Sequence, residues 1–132
     1  MKKYVLTLVI AFGVILGSAG GSHAKGAMSP EFKAFWLKFQ AAVAKGDADA
    51  VSSLTNLPYP MITNGGANNL DKAGFIKAYP TLFPAKVKTC IAAGSPDKED
   101  AVDNYNLFCG DSIYIFSKVG ADYKFMEVGQ ND

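Results

Sequence analysis

Apolar positions in the first half of the chain recur at helical spacing. Phe32, Phe35, Trp36, Phe39 and Val43 form one stripe, and Lys33, Lys38, Gln40 and Lys45 fall largely off it. That pattern predicts a helix with a single buried face. Ser29-Pro30-Glu31 supplies its start, with Ser as N-cap, Pro at the first helical position and an acid near the positive end of the dipole. Gly46 ends it, and Asp47 caps a shorter second helix whose Val51 and Leu54 face inward. Leu57-Pro58-Tyr59-Pro60-Met61-Ile62 contains two prolines and cannot be a helix interior. It reads as an edge strand or extended passage, followed by a turn at Asn64-Gly65-Gly66. Asp71 opens a third helix, with Leu70 in position to staple onto Phe75, and with Phe75, Ile76 and Tyr79 on its buried side. Pro80 is expected to disturb that helix, and Pro84 to restart a helical stretch to about Ala92.

From residue 105 the period changes. Tyr105 to Cys109, Ser112 to Val119 and Tyr123 to Val128 are rich in aromatic and β-branched residues. Gly110-Asp111 and Gly120-Ala121-Asp122 separate them as turns. The stretch from Gly94 to Asp103 is polar and acidic and reads as a solvated loop. Helices followed by an antiparallel meander predict an α+β domain with its helices packed on one sheet face.

The first residues carry a different pattern. Lys2 and Lys3 precede an uncharged run from Tyr4 to Leu16, then small residues, then Ser22-His23-Ala24. This reads as a secretory signal peptide over residues 1–24, with cleavage after Ala24, or after Ala19 as the second choice. The apolar run is short for a bilayer span, which needs about 20 residues. The expected location is the periplasm or the medium, with no membrane association after cleavage and one domain over residues 25–132.

Export changes the composition that matters. All 13 basic residues are lysines, and the sole histidine is His23. Without residues 1–24 the chain has neither histidine nor arginine, and losing Lys2 and Lys3 leaves one more acid than base among the 13 and 12 counted over the whole chain. No histidine means no imidazole-activated nucleophile and no imidazole metal ligand. No arginine means no planar fork for a carboxylate or phosphate. Near-zero charge argues against nucleic acid as a partner. No cofactor or metal is expected.

Cys90 and Cys109 are the two cysteines. In an oxidising compartment they are expected to form one structural disulfide between a helical stretch and a strand. Asp97, Glu99, Asp100 and Asp103 lack an EF-hand pattern and read as solvated. The aromatics Phe32, Phe35, Trp36, Phe39, Tyr79, Tyr114, Phe116 and Phe125 read as the core of a small domain. Trp36, Tyr59, Tyr79 and Tyr114 each add a polar handle to an apolar body, so they are the candidate ligand-binding residues at the mouth of a pocket under the first helix. The competing expectation is that they only pack the core and that a partner is met through the outer sheet face, including by a homodimer.

The segment Phe35-Trp36-Leu37-Lys38-Phe39 running into Ala44-Lys45-Gly46-Asp47-Ala48-Asp49-Ala50-Val51 resembles the opening of NTF2-like (cystatin-like) domains. Leu57-Pro58-Tyr59-Pro60, Asp71 to Phe83, Tyr105 to Gly110, Ile113 to Phe116 and Tyr123 to Met126 continue that order over most of residues 31 to 129. The resemblance is to small exported bacterial members. It implies a long helix lying across a curved antiparallel sheet, forming a cone with an inner pocket. It does not imply one function. The expected function is an exported non-catalytic domain binding a small apolar ligand or a protein partner. The alternatives are a periplasmic immunity or inhibitor protein, and a small enzyme using Asp and Tyr for acid-base chemistry.

Overall fold

The computed structural model describes residues 27–132, so the expected signal peptide and its cleavage site lie outside the described residues. Helices α1 (Pro30–Lys45) and α2 (Ala48–Ser53) are followed by a hairpin of β1 (Tyr59–Thr63) and β2 (Gly66–Leu70). Then come α3 (Lys72–Leu82), α4 (Ala85–Ala93), and strands β3 (Asp97–Lys98), β4 (Asn104–Cys109), β5 (Ser112–Val119) and β6 (Asp122–Gln130). The last four strands form one antiparallel sheet in sequence order. The architecture is α+β, with the long first helix against that sheet.

The helix boundaries follow from side-chain chemistry. The Ser29 hydroxyl accepts from the Phe32 amide, Asp47 from the Ala50 amide and Asp71 from the Gly74 amide. Each bond satisfies an amide that the first helical turn leaves without a partner. At the end of α1, Gly46 N–H donates to the Val43 carbonyl and Asp47 N–H to the Ala42 carbonyl. That pairing is a Schellman stop, and it places the capping aspartate of α2 one residue beyond the glycine.

Packing is dominated by aromatic rings. Phe32, Phe35, Trp36 and Phe39 on α1 all reach Phe116 of β5, with centroid separations of 6.1, 5.9, 5.4 and 5.1 Å. Phe32 also stacks on Tyr105 of β4 at 3.6 Å, with the rings 2° from parallel. Period-two alternation along β4, β5 and β6 turns Tyr105, Leu107, Tyr114, Phe116, Tyr123 and Phe125 toward the helices, where all six are buried. In β6 the pairing shifts between Ile115↔Glu127 and Phe116↔Phe125, so Met126 is an extra residue that bulges the strand. Gly110 and Gly120, both at φ 64°, open the two hairpin turns with a conformation that side chains resist.

The far edge of the sheet is closed by the chain leaving α2. Phe125 N–H donates to the Leu54 carbonyl and Asn56 N–H to the Phe125 carbonyl, each at 2.8 Å. The Tyr59 hydroxyl then accepts from the Val128 amide at 3.2 Å. An edge strand that would otherwise present free backbone groups is thus occupied along part of its length.

Four expectations need correction. Ile76, expected on the buried side of α3 with Phe75 and Tyr79, is exposed. Pro80 does not break α3, which runs to Leu82. Phe75, Tyr79 and Phe83 are buried on both sides of the proline, and their burial offsets the roughly 3 kcal/mol that an interior proline costs. Gly66, expected in the turn, and Leu70, expected at the start of the third helix, belong with residues 67–69 to β2, which pairs with β1. The stretch from Gly94 to Asp103 contains the two-residue strand β3, with Asp97 opposite Asn106 and Lys98 opposite Tyr105.

Cys90 of α4 and Cys109 at the end of β4 are bonded, with 5.9 Å between their Cα atoms. Their separation of 19 residues means that removing both by Cys→Ala should lower stability by about 3 kcal/mol in the chain-entropy description. Denaturant unfolding of the double variant beside the wild type measures this. An unchanged midpoint would show that the bridge constrains nothing.

Candidate functional site

The four residues expected at a pocket mouth are in the core. Trp36, Tyr59, Tyr79 and Tyr114 are 3%, 1%, 5% and 2% exposed. Tyr59 and Tyr114 flank Phe125 at 5.6 and 5.9 Å, and Trp36 lies across Phe116 from them. The hydroxyls of Tyr114 and Tyr59 are tied to backbone groups. The Tyr114 hydroxyl donates to the Leu82 carbonyl at 2.5 Å, tying β5 to the end of α3. The Tyr59 hydroxyl holds the β6 edge, as described above. The physical reason is the number of rings. The chain has 16 aromatic residues, all but Tyr4 and Phe12 within residues 27–132, too many for a domain of this size to leave its interior open, and α1 and α3 press theirs directly onto the sheet.

Burial has an electrostatic consequence. Desolvation raises the Tyr59 phenol from 10.0 to about 12, partly opposed by its hydrogen bond from Val128. Desolvation also raises Tyr114, with a smaller contribution from Tyr59. Tyr79 is raised by burial and by the Asp47 carboxylate. Its hydroxyl is buried without a hydrogen-bond partner among the described residues, while the Lys88 ammonium lies 5.7 Å from the ring centre. None of the three phenols is prepared to give up a proton near neutrality, so they are poor acid-base groups.

Open volume lies elsewhere, and part of it is on the face of the sheet turned away from the helices. A groove of about 370 Å³ runs there between Asn56 and Pro60 on one side and Glu99 on the other, floored by Asn106, Ile115 and Met126. A second volume of about 270 Å³ shares Glu99 and Asn106 with it and extends to Asp97 and Phe108. Ile113, Ile115 and Met126 lie outside the core cluster, and Phe108 is 49% exposed. The strand register explains the surface. Outward positions of β4, β5 and β6 alternate with the buried rings, which brings Asn106, Ile115 and Glu127 into one cross-strand row and Phe108 and Ile113 into the next. The sequence carried this signal in the alternation of Asn104, Asn106 and Phe108 with Tyr105 and Leu107.

Trp36, Tyr79 and Tyr114 line neither groove. Tyr59 borders a separate volume of about 270 Å³ beside Met61, Leu82 and Val128. Another volume, of about 300 Å³, lies between α1 and the β5–β6 turn and has mixed charge from Glu31, Lys38, Asp122 and Lys124. Among the described residues, ion pairs join Lys72 to Asp49 at 2.8 Å and Lys118 to Glu31 at 2.9 Å. Tyr123 donates to Asp103. Among the described residues, Asp97, Glu99 and Glu127 have no such partner. Among the described residues no three His, Cys, Asp or Glu side chains are grouped to hold a metal ion, and no helix is long and apolar enough to cross a membrane.

No family model matches the chain, and no curated protein matches it. Among solved structures the chain is similar to one from Xanthomonas campestris assigned as a calcium/calmodulin dependent protein kinase II association domain. Identity is 11%, with 82% of this chain and 89% of that chain covered and a TM-score of 0.43.

The burial of Tyr114 generates a test. Tyr114→Ala should cost about 3–5 kcal/mol of stability, measured by thermal or denaturant unfolding. A folded variant of unchanged stability would place Tyr114 at an open pocket instead. The raised Tyr59 phenol sets a second expectation. Its proton is held more tightly in the folded state than in the unfolded chain, so its contribution to stability is intact below pH 10.0 and is lost between there and about 12. Phenolate absorbance and circular dichroism followed together should show Tyr59 ionising only as the fold is lost. Ionisation of every tyrosine near 10.0, with the fold intact, would contradict the burial.

Proposed function

We propose that residues 25–132 form an exported, non-catalytic binding domain of the NTF2-like type, which meets a protein partner through the sheet face turned away from the helices. The observation that carries this reading is the surface built from Phe108, Ile113, Ile115 and Met126. These are large apolar side chains on a sheet face outside the core, beside an open groove and rimmed by amide and carboxylate groups. An apolar centre with a polar rim is how protein interfaces are organised.

Three further features support the reading. The residues after the expected leader contain neither histidine nor arginine, which removes the commonest acid-base and anion-stabilising groups. The Cys90–Cys109 bridge fits an oxidising compartment, and so does the leader pattern of residues 1–24. The cone interior expected from the resemblance is filled by rings, which favours a protein partner over a small apolar ligand held inside.

Photo-crosslinking in the source cells tests the reading. A photoreactive residue at position 115 on the groove floor should give a discrete protein adduct. One at position 37, exposed on α1, should not. N-terminal sequencing of the same material should begin at Lys25. Adducts from position 37 alone would move the contact to the helix. A small molecule that co-purifies and shields the core rings would return the function to the interior.

A further inference from the structure

The outer sheet face has a charge pattern as well as a shape. Strand register aligns Glu127 with Ile115, Ile115 with Asn106, and Asn106 with Asp97. This row crosses all four strands at right angles. With neighbouring strands about 4.8 Å apart, its two carboxylate ends are roughly 14 Å from each other. Glu99 joins the Asp97 end and is common to both grooves. Between the ends lie Ile115 and Asn106, with Met126 and Phe108 alongside. The larger groove has no basic residue in its lining, and the smaller one has a single lysine, Lys98, against three carboxylates, Asp97, Glu99 and Asp100. The one lysine of β6 on this face, Lys124, donates to the Ser53 carbonyl at the sheet edge.

We propose that the occupant of this face is a protein segment bearing two lysine or arginine side chains spaced to meet Glu127 at one end and Asp97 with Glu99 at the other, around a short apolar centre. The proposal rests on the reading of this face as the partner surface and adds the partner's chemistry. Charge complementarity selects it. Carboxylates rimming an apolar floor attract and orient a cationic partner and reject an anionic one. A second copy of the chain is a poor occupant. A two-fold axis through the middle of the row would set carboxylate ends against carboxylate ends, and like charges across an interface are costly. An extended segment fits the span, since four residues cover about 13 Å and place side chains i and i+4 on the same side.

The experiment uses the isotope-labelled protein lacking residues 1–24 and a doubly capped peptide, Lys-Thr-Val-Thr-Lys, whose central valine shares a side with both lysines, with Glu-Thr-Val-Thr-Glu as control. Amide resonances are followed through a titration to millimolar peptide. The lysine peptide should shift amides of residues 104–108, 113–117 and 124–128 in a saturable, salt-sensitive way, and the glutamate peptide should leave them in place. The double variant Glu99→Gln, Glu127→Gln has both changes on the surface and should keep its amide spectrum. It should bind the lysine peptide about tenfold more weakly and with less salt dependence. Equal shifts from both peptides, or unchanged binding by the double variant, would overturn the cationic partner while leaving the face as a binding surface. No shift on this face from the lysine peptide would also overturn the inference, and the crosslinking from position 115 would then decide separately whether the face is used. Concentration-dependent dimerisation abolished by Ile115→Asp would overturn it in favour of a second copy.

Discussion

The contact between one face of α1 and the ring of Phe116 organises this domain. Four aromatic side chains from successive turns of α1 converge on that ring. Phe116 itself meets Phe125 at 5.7 Å, and Phe125 meets Phe83, just beyond the end of α3, at 5.6 Å and Tyr59 of β1 at 5.6 Å. Helix, sheet, second helix pair and hairpin therefore share one apolar centre. Tilted and edge-on pairs predominate at its middle, the arrangement that the charge distribution of aromatic rings favours. Loss of Phe116 would leave a void touched by every ring of the α1 stripe, so its removal is felt along the whole helix.

That same contact decides where function can be. A cone that fills its base and its middle with rings has no large interior left for a guest. Two of the three tyrosine hydroxyls that would have oriented one, those of Tyr114 and Tyr59, are hydrogen-bonded to Leu82 and Val128, where they fasten α3 and the sheet edge. What remains open is outside. The outward residues of β4, β5 and β6 obey the same two-residue alternation as the core, so the register that buries Tyr105, Phe116 and Phe125 also sets out Asn106, Ile115 and Glu127. Core and surface are two readings of one pleat.

Much of this could be read from the chain and some could not. The start of α1 at Pro30 and all of β5 from Ser112 to Val119 coincide with expectation, because Ser-Pro-Glu and a β-branched, aromatic run are strong local signals. Strand β2 was illegible. Gly-Ala-Asn-Asn-Leu has neither alternation nor β propensity, and it is a strand only because the turn after Thr63 folds it back on β1. Strand β3 is two residues held by β4 and has no pattern of its own. The candidate site failed to be legible for a different reason. A tyrosine that orients a ligand and one that ties two elements together look alike in sequence. Depth separates them, and depth depends on how many rings compete for the same volume. The grooved face was visible only as an alternation of Asn and Phe with buried positions, and its row of Glu127, Ile115, Asn106 and Asp97 required the register of three strand pairs.

The central claim is that the interior is filled and the working surface lies outside it. Xenon enters apolar cavities large enough to hold it and leaves packed cores alone. Aromatic resonances of Phe39, Tyr114 and Phe125 followed in solution under xenon pressure measure this directly. The account predicts that they stay in place up to the highest pressure. Saturable shifts of those rings would reveal an open pocket beneath α1 and contradict it.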